Sequence, residues 1–144
     1  MGYFSRVVSV QRLSVRALVD ESPAFLSHAE ALAAAGDESW GQWVAEYQRG
    51  DALIVRLELT LEVSDHGGEI LTASRDGFFV ENHVHAPKVE QQIAELAAGD
   101  LAALAAEFAE RGHELDLHEL AAMYVHVELA PELRRRVEDR AAAH

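Results

Sequence analysis

The chain of 144 residues contains no cysteine, which excludes disulfide bonds, thiolate zinc sites and cysteine nucleophiles. It also has no apolar run close to the roughly 18 residues that a membrane span needs. Three arginines are scattered through the N-terminal region, which is not the layout of a signal peptide: Arg6, Arg12 and Arg16. We therefore expect a cytoplasmic protein that does not bind membranes.

Basic residues are scarce. The chain has 12 lysines and arginines against 25 acidic residues, and its formal net charge is −13. Such a surface repels phosphate backbones, so we expect no nucleic-acid binding through most of it. Two interpretations of the acidity stay open. The negative charge can serve solubility alone, or it can form a face for a basic protein partner, as in a mimic of nucleic acid.

Motifs that identify an enzyme class are missing as well. The chain has no phosphate-binding loop, no dinucleotide-binding glycine fingerprint, no Gly-x-Ser-x-Gly elbow and no His-Glu-x-x-His helix. Whether it is an enzyme is therefore left open. No internal repeat or linker divides the chain, and its length is typical of one domain, so we predict a single compact domain over residues 1–144.

The clearest pattern that is present runs from 51 to 86. Residues 51–64 alternate with a period of two, with an apolar face from Leu53 to Val63 and an opposite face that is polar except for Ile54, which is typical of a strand with one buried face. The residues at 65–68 suit a hairpin loop, and Asp76-Gly77 is a two-residue hairpin signal. We predict a three-stranded antiparallel meander, whose third strand spans 77–86 and ends before Pro87.

Helical periodicity surrounds this meander. The pattern predicts an α+β fold, in which an antiparallel sheet of four or five strands is packed on one face by helices at 22–35, 37–48, 88–98 and 100–111. Residues 3–19 favour a strand, although a helix is the alternative. Residues 123–129 favour a late strand that returns to the sheet, with a continued helix from Leu117 as the alternative, and Pro131 opens a final helix.

An aromatic stripe lies on the predicted helix at 37–48. Trp40, Trp43 and Tyr47 repeat at helical spacing, and Phe79 lies in the third predicted strand. These rings either pack as core against the meander or form a groove for a ligand or a protein partner, because large amphipathic rings serve well as anchors.

A histidine cluster is the candidate for chemistry. His83 and His85 are two positions apart and share one predicted strand face with Glu81. Their Cβ atoms would then lie about 6 to 7 Å apart, which lets both rings reach one ion. Sets of two histidines and a carboxylate bind divalent zinc, iron or manganese.

Two other interpretations of the cluster stay open. The same residues can form a general acid/base set, or a polar sheet face on which histidines pair with glutamates across strands. Four residues of neighbouring predicted strands could add to the cluster: Glu58, Glu62, His126 and Glu128.

One resemblance to a known family falls on this cluster. Gly77, His83, His85 and Glu90 have a spacing that resembles the first metal-binding motif of the cupin family. The resemblance implies that His83, His85 and Glu90 are metal ligands in a β-barrel. The second cupin motif has no counterpart, and residues 87–96 have the pattern of a helix where a cupin has a strand, so we assign the chain to no family.

Two hypotheses about function follow. The leading one is a small acidic, non-catalytic binding or regulatory module without a cofactor, which engages a protein partner through its sheet and its aromatic helix. That partner is a basic protein or a second copy of the chain, which would make a homodimer. The alternative is a metal-dependent enzyme or a small-ligand-binding protein that uses the face of Glu81, His83 and His85.

Overall fold

The structure, a computed structural model, describes residues 6–21, 24–63 and 69–143. In chain order its elements are β1 (Arg6–Val8), β2 (Val10–Val19), α1 (Phe25–Ala34), α2 (Glu38–Arg49), β3 (Ala52–Val63), β4 (Ile70–Glu81), α3 (Ala86–Gly99), α4 (Leu101–Glu110), β5 (His113–Leu115), α5 (Leu117–Ala122), β6 (Val125–Leu129) and α6 (Pro131–Ala142).

The main sheet has the strand order β4-β3-β2-β6. β2 and β4 both pair antiparallel with β3, whereas β6 pairs parallel with β2. β1 and β5 form a separate parallel pair. The predicted α+β class and the mainly antiparallel sheet are therefore confirmed, as are the extended structure before residue 20 and the late strand.

One face of the sheet carries the main core. The residues of β3 alternate as the sequence predicts, with the side chains of Val55, Leu57, Leu59, Leu61 and Val63 all buried. α3, α4 and α6 cover this face with buried apolar side chains at helical spacing, which are Val89, Ile93, Ala97, Leu104, Phe108, Leu133 and Val137. The core therefore lies between the sheet and the C-terminal helices.

A second, smaller core lies on the opposite face. There Ile54 and Phe79 are cross-strand neighbours, and Ala29 of α1 and Val44 of α2 pack against them. The prediction that all helices pack on one face was therefore wrong. It failed because the first part of β3 contains two consecutive buried residues, Ile54 and Val55, so that both faces of the sheet need a cover at this end.

The prediction of a central three-stranded meander at 51–86 was also wrong. Residues 70–81 form one continuous strand, so β3 and β4 make a hairpin of two strands. Asp76-Gly77 lies within β4 at a shift of register, where Val55 pairs with Phe78 and Leu57 pairs with Arg75. Bulges use a glycine at positive φ just as tight hairpin turns do, and Gly77 has φ +85°.

The chain leaves the sheet after Glu81. Residues 82–85 form a loop, and Pro87 lies in the first turn of α3 rather than at the end of a strand. The predicted hairpin loop at 65–68 and the predicted helix start at 22–23 lie outside the described residues.

Gly77 also fixes how closely α1 approaches the sheet. A Cβ atom at this position would lie 2.9 Å from Cδ2 of Phe25. We expect Gly77→Ala to lower the free energy of unfolding by roughly 2 to 4 kcal/mol, because the left-handed backbone and the clash with the ring both oppose a side chain. Denaturant unfolding measures this loss.

Gly36→Ala is the matched control. Gly36 has φ +100°, yet nothing lies within 4 Å of the position that an alanine methyl group would take there. This variant should carry only the backbone cost of about 1 to 2 kcal/mol. Equal losses in the two variants would contradict the contact between Gly77 and Phe25.

Candidate functional site

Phe79 is the centre of an aromatic cluster. The ring of Trp43 stacks on it at a centroid distance of 5.5 Å with an interplanar angle of 7°. Trp40 and Tyr47 lie at 6.1 and 6.3 Å, and Phe25 of α1 meets it edge-on at 5.6 Å. The structure thus brings the predicted stripe of Trp40, Trp43 and Tyr47 into contact with Phe79.

The local sequence explains why α2 presents these rings on one side. Asp37 caps the helix, with its carboxylate accepting a hydrogen bond from the backbone N–H of Trp40 at 3.2 Å. Gly50 ends the helix in the left-handed conformation at φ +83°. Between these limits the spacing of three and four residues puts Trp40, Trp43 and Tyr47 over β4.

Two adjoining hollows open beside this cluster, between α2 and α3. The first has a volume of about 330 Å³ and the second about 300 Å³, and both are lined by Trp43, Phe79 and Leu96. Trp40 contributes to the first hollow. Glu81, Gln92 and Glu95 contribute to the second. We call this surface, formed by Trp40, Trp43, Phe79, Leu96, Glu81, Gln92 and Glu95, the aromatic groove.

The groove combines an apolar floor with an acidic rim. Glu81 is half-buried and Glu95 is exposed, and no lysine or arginine of the described ranges lines either hollow. The backbone N–H of Glu81 donates to Oε1 of Gln92 at 3.1 Å, which ties the edge of β4 to α3. The groove is therefore suited to a group that is apolar and positively charged.

The predicted metal ligands lie in three different settings. Glu81 ends β4 at the groove. His83 is half-buried in the following loop, with Nδ1 3.2 Å from the carbonyl oxygen of Asp51. His85 is exposed and precedes α3, where its carbonyl accepts from the backbone of Lys88. The premise that both histidines project from one strand was wrong, because β4 ends at Glu81.

Across residues 6–21, 24–63 and 69–143, no group of three histidine, aspartate or glutamate residues could hold a metal ion. Zinc, iron or manganese binding stays a prediction. Glu90, the third ligand implied by the cupin resemblance, lies on α3 and forms an ion pair with Arg134 at 3.0 Å. The β-barrel implied by that resemblance is not the fold.

Three of the other predicted neighbours of the histidines lie on a different surface. β2, β3 and β6 carry a polar face away from the main core, with a hollow of about 500 Å³ over it. We call this surface the open sheet face; it is lined by Arg12, Ser14, Val15, Arg16, Glu58, Thr60, Tyr124, His126, Val127 and Glu128. Glu58, His126 and Glu128 therefore share one face, but they share it with arginines rather than with His83 and His85.

Sequence reasoning missed a clamp next to the groove. Nη2 of Arg140 lies 2.7 Å from Oδ1 of Asp51, and the side chain amide of buried Asn82 donates to the carbonyl of Gly50 at 3.0 Å. These contacts join α6, the turn that precedes β3, and the end of β4. The hydrogen bond from Arg140 lowers the pKa of Asp51, partial burial opposes it, and Arg49 adds to the lowering.

Leu96, Gln92 and Glu95 were also missed as members of the groove. Leu96 was visible as part of the apolar stripe of a predicted helix, but nothing in the sequence placed that helix beside Trp43.

No helix of the described residues combines the length and the apolarity that crossing a bilayer requires. Comparison with protein-family models, curated proteins and solved structures finds no match for this chain.

The clamp predicts how Asp51 titrates. In Arg140→Met the pKa of Asp51 should rise towards its ordinary value, because its main stabilising hydrogen bond is gone. Carbon-detected NMR titration of the carboxyl groups measures this. Since the folded-state pKa lies below the unfolded value of about 4, the stabilisation is present above that value and is lost as the pH falls through the folded-state pKa.

The difference in unfolding free energy between wild type and Arg140→Met should accordingly be larger at pH 7 than at pH 3. Arg135→Met is the control, because Arg135 also lies on α6 but pairs with Glu132 at the surface. A change in the titration of Asp51 that is equal in the two variants would contradict the clamp.

Proposed function

We propose that the protein is a small acidic binding or regulatory module, without catalysis of its own, that engages a basic protein partner through the aromatic groove. The observation that carries this proposal is the stacking of Trp43 on Phe79 beside Leu96, directly next to the carboxylates of Glu81 and Glu95.

The floor of the groove supplies the affinity in this proposal. Tryptophan and other aromatic residues dominate binding energy at protein interfaces, because they bury a large apolar area at a small cost in conformational entropy. Trp40 and Trp43 are each only half-buried within the chain, so a part of each ring stays available to a partner.

The rim of the groove supplies the selectivity. Two carboxylates beside apolar rings favour a lysine or arginine side chain, whose aliphatic part packs on a ring while its charge reaches a glutamate. The net charge of −13 acts over a longer range and speeds the approach of a basic partner.

The shape of the groove supports a protein segment over a small molecule. Each hollow is at the lower end of the range of about 300 to 1,000 Å³ that small-molecule sites occupy. The two hollows instead follow one another along the edge of β4 between two helices. An extended segment with alternating apolar and basic side chains fits this arrangement.

The first test is capture of a partner from native lysate, followed by a measurement of its affinity for purified variants. In Glu81→Lys/Glu95→Lys the affinity should fall at least tenfold at physiological salt, because two attractive charges of the rim become repulsive. Isothermal titration calorimetry gives the dissociation constant.

The matched control is Glu110→Lys/Glu114→Lys, which makes the same change in net charge at two exposed positions that do not line the groove. Its affinity should stay within about threefold of wild type, because only the long-range attraction is reduced. Equal losses in both double variants, or an affinity that Trp43→Ala leaves unchanged, would contradict the proposal.

A further inference from the structure

The two edges of the main sheet differ. Along β4 three outward backbone groups are bonded to side chains. The carbonyl of Thr72 accepts from Arg111 at 2.8 Å, the carbonyl of Ser74 accepts from Arg75 at 3.0 Å, and the N–H of Glu81 donates to Gln92 at 3.1 Å. Such cover prevents an edge from pairing with a further strand.

The other edge, β6, has no such cover within the described residues. The N–H of Ala130 donates to the carbonyl of Ala17 on β2 at 2.9 Å. Because backbone groups alternate in direction along a strand, the N–H and C=O groups of Val125, Val127 and Leu129 point away from β2. No side chain of residues 6–21, 24–63 or 69–143 forms a hydrogen bond with them.

The side chains of β6 are complementary to those of a second β6 strand that runs antiparallel to it. His126 and Glu128 are exposed on the open sheet face, one on each side of Val127. If a second β6 is laid antiparallel with Val127 opposite Val127, the histidine of each copy lies opposite the glutamate of the other. The outward groups at 125, 127 and 129 then form the closely spaced hydrogen-bonded pairs of an antiparallel ladder.

We propose that two copies of the chain associate through β6 in this register, so that their main sheets join into one sheet of eight strands across a two-fold axis. The pairing is isologous, and each interaction occurs twice. The proposal is independent of the aromatic groove, which lies at the opposite edge of the sheet.

Charge supports a second copy as the occupant. On most of the surface two chains with a net charge of −13 repel each other. The open sheet face is different, because Arg12 and Arg16 offset its glutamates and Nε of Arg16 lies 3.9 Å from Glu128. Across the two-fold axis Glu128 would lie between Arg16 of its own chain and His126 of the second copy.

Apolar side chains at the same edge would gain cover. Val125 and Val127 are only half-buried, beside a hollow of about 310 Å³ between β6 and α3. Tyr124 is 75% exposed and contacts the ring of His126 at 4.8 Å. In the proposed register Tyr124 lies opposite Ala130 of the second copy.

A charge exchange tests the register. Sedimentation equilibrium of the full chain should show a monomer of 15.8 kDa in reversible equilibrium with a dimer. His126→Glu should weaken the dimer at least tenfold, because it places two carboxylates opposite one another at each of the two symmetry-related pairs. Glu128→Lys should weaken the dimer as well, because the ring of His126 then faces an ammonium group instead of a hydrogen-bond acceptor. In the double variant His126→Glu/Glu128→Lys each pair has opposite charges, and the dissociation constant should return to within about threefold of wild type.

Two backbone measurements complete the test. Val127→Pro removes an N–H that points away from β2, so it should abolish the dimer and leave the circular dichroism spectrum unchanged. In hydrogen exchange, the amides of Val125, Val127 and Leu129 should become protected as protein concentration rises. The amides of His126 and Glu128, which face β2, should be protected at every concentration.

Three results would overturn the proposal. One is a protein that stays monomeric up to millimolar concentration. Another is a dimer that Val127→Pro leaves intact, since a different surface must then hold it. The third is a folded double variant in which the exchange of charges restores no association.

Discussion

The structure depends on the two-sided burial of the first residues of β3. Ala52, Ile54 and Val55 are all at most 1% exposed, although Ile54 and Val55 point to opposite faces of the sheet. Both faces therefore need apolar cover at this end, and α1 with α2 supplies it on one side while α3 and α6 supply it on the other. Beyond Leu57 only one face of β3 is apolar.

This change along a single strand separates the two candidate surfaces. Where both faces are covered, α2 and α3 approach each other over the edge of β4, and the aromatic groove lies in the gap between them. Where only one face is covered, Glu58 and Thr60 remain at the open sheet face together with residues of β2 and β6. Neither surface needs a loop of unusual length, because both result from incomplete cover of a regular sheet.

Much of the fold could be predicted because it is local. Four features each depend on only a few neighbouring residues: the alternation of β3, the N-cap of α2 at Asp37, the end of α2 at Gly50 and the start of α6 at Pro131. Asp76-Gly77 could not be assigned in this way, since a hairpin turn and a bulge both need glycine at positive φ. Sequence alone also did not reveal that the side chain of Asn82 donates to the carbonyl of Gly50, at the point where the chain leaves the sheet before His83.

The candidate site, like the fold, could be predicted only in part from the sequence. The stripe of Trp40, Trp43 and Tyr47 was predictable from its spacing. The spacing left open whether these rings are buried in the core or form a groove for a partner. The position of the stripe beside Leu96 was not predictable, because that contact is set by the path of the chain between β4 and α3. Strand neighbours such as Ser14 and His126 likewise meet only through the parallel pairing of β2 with β6.

That parallel pairing has a consequence for how the protein is made. During synthesis β2 leaves the ribosome well before its partner β6, and Asp51 leaves it 89 residues before Arg140, which clamps it. Until β6 emerges, one side of a ten-residue strand has no neighbour. The nascent chain therefore exposes one open edge of β2 until β6 has been made, and this part of the fold closes only after both strands have left the ribosome, as expected where distant segments pair.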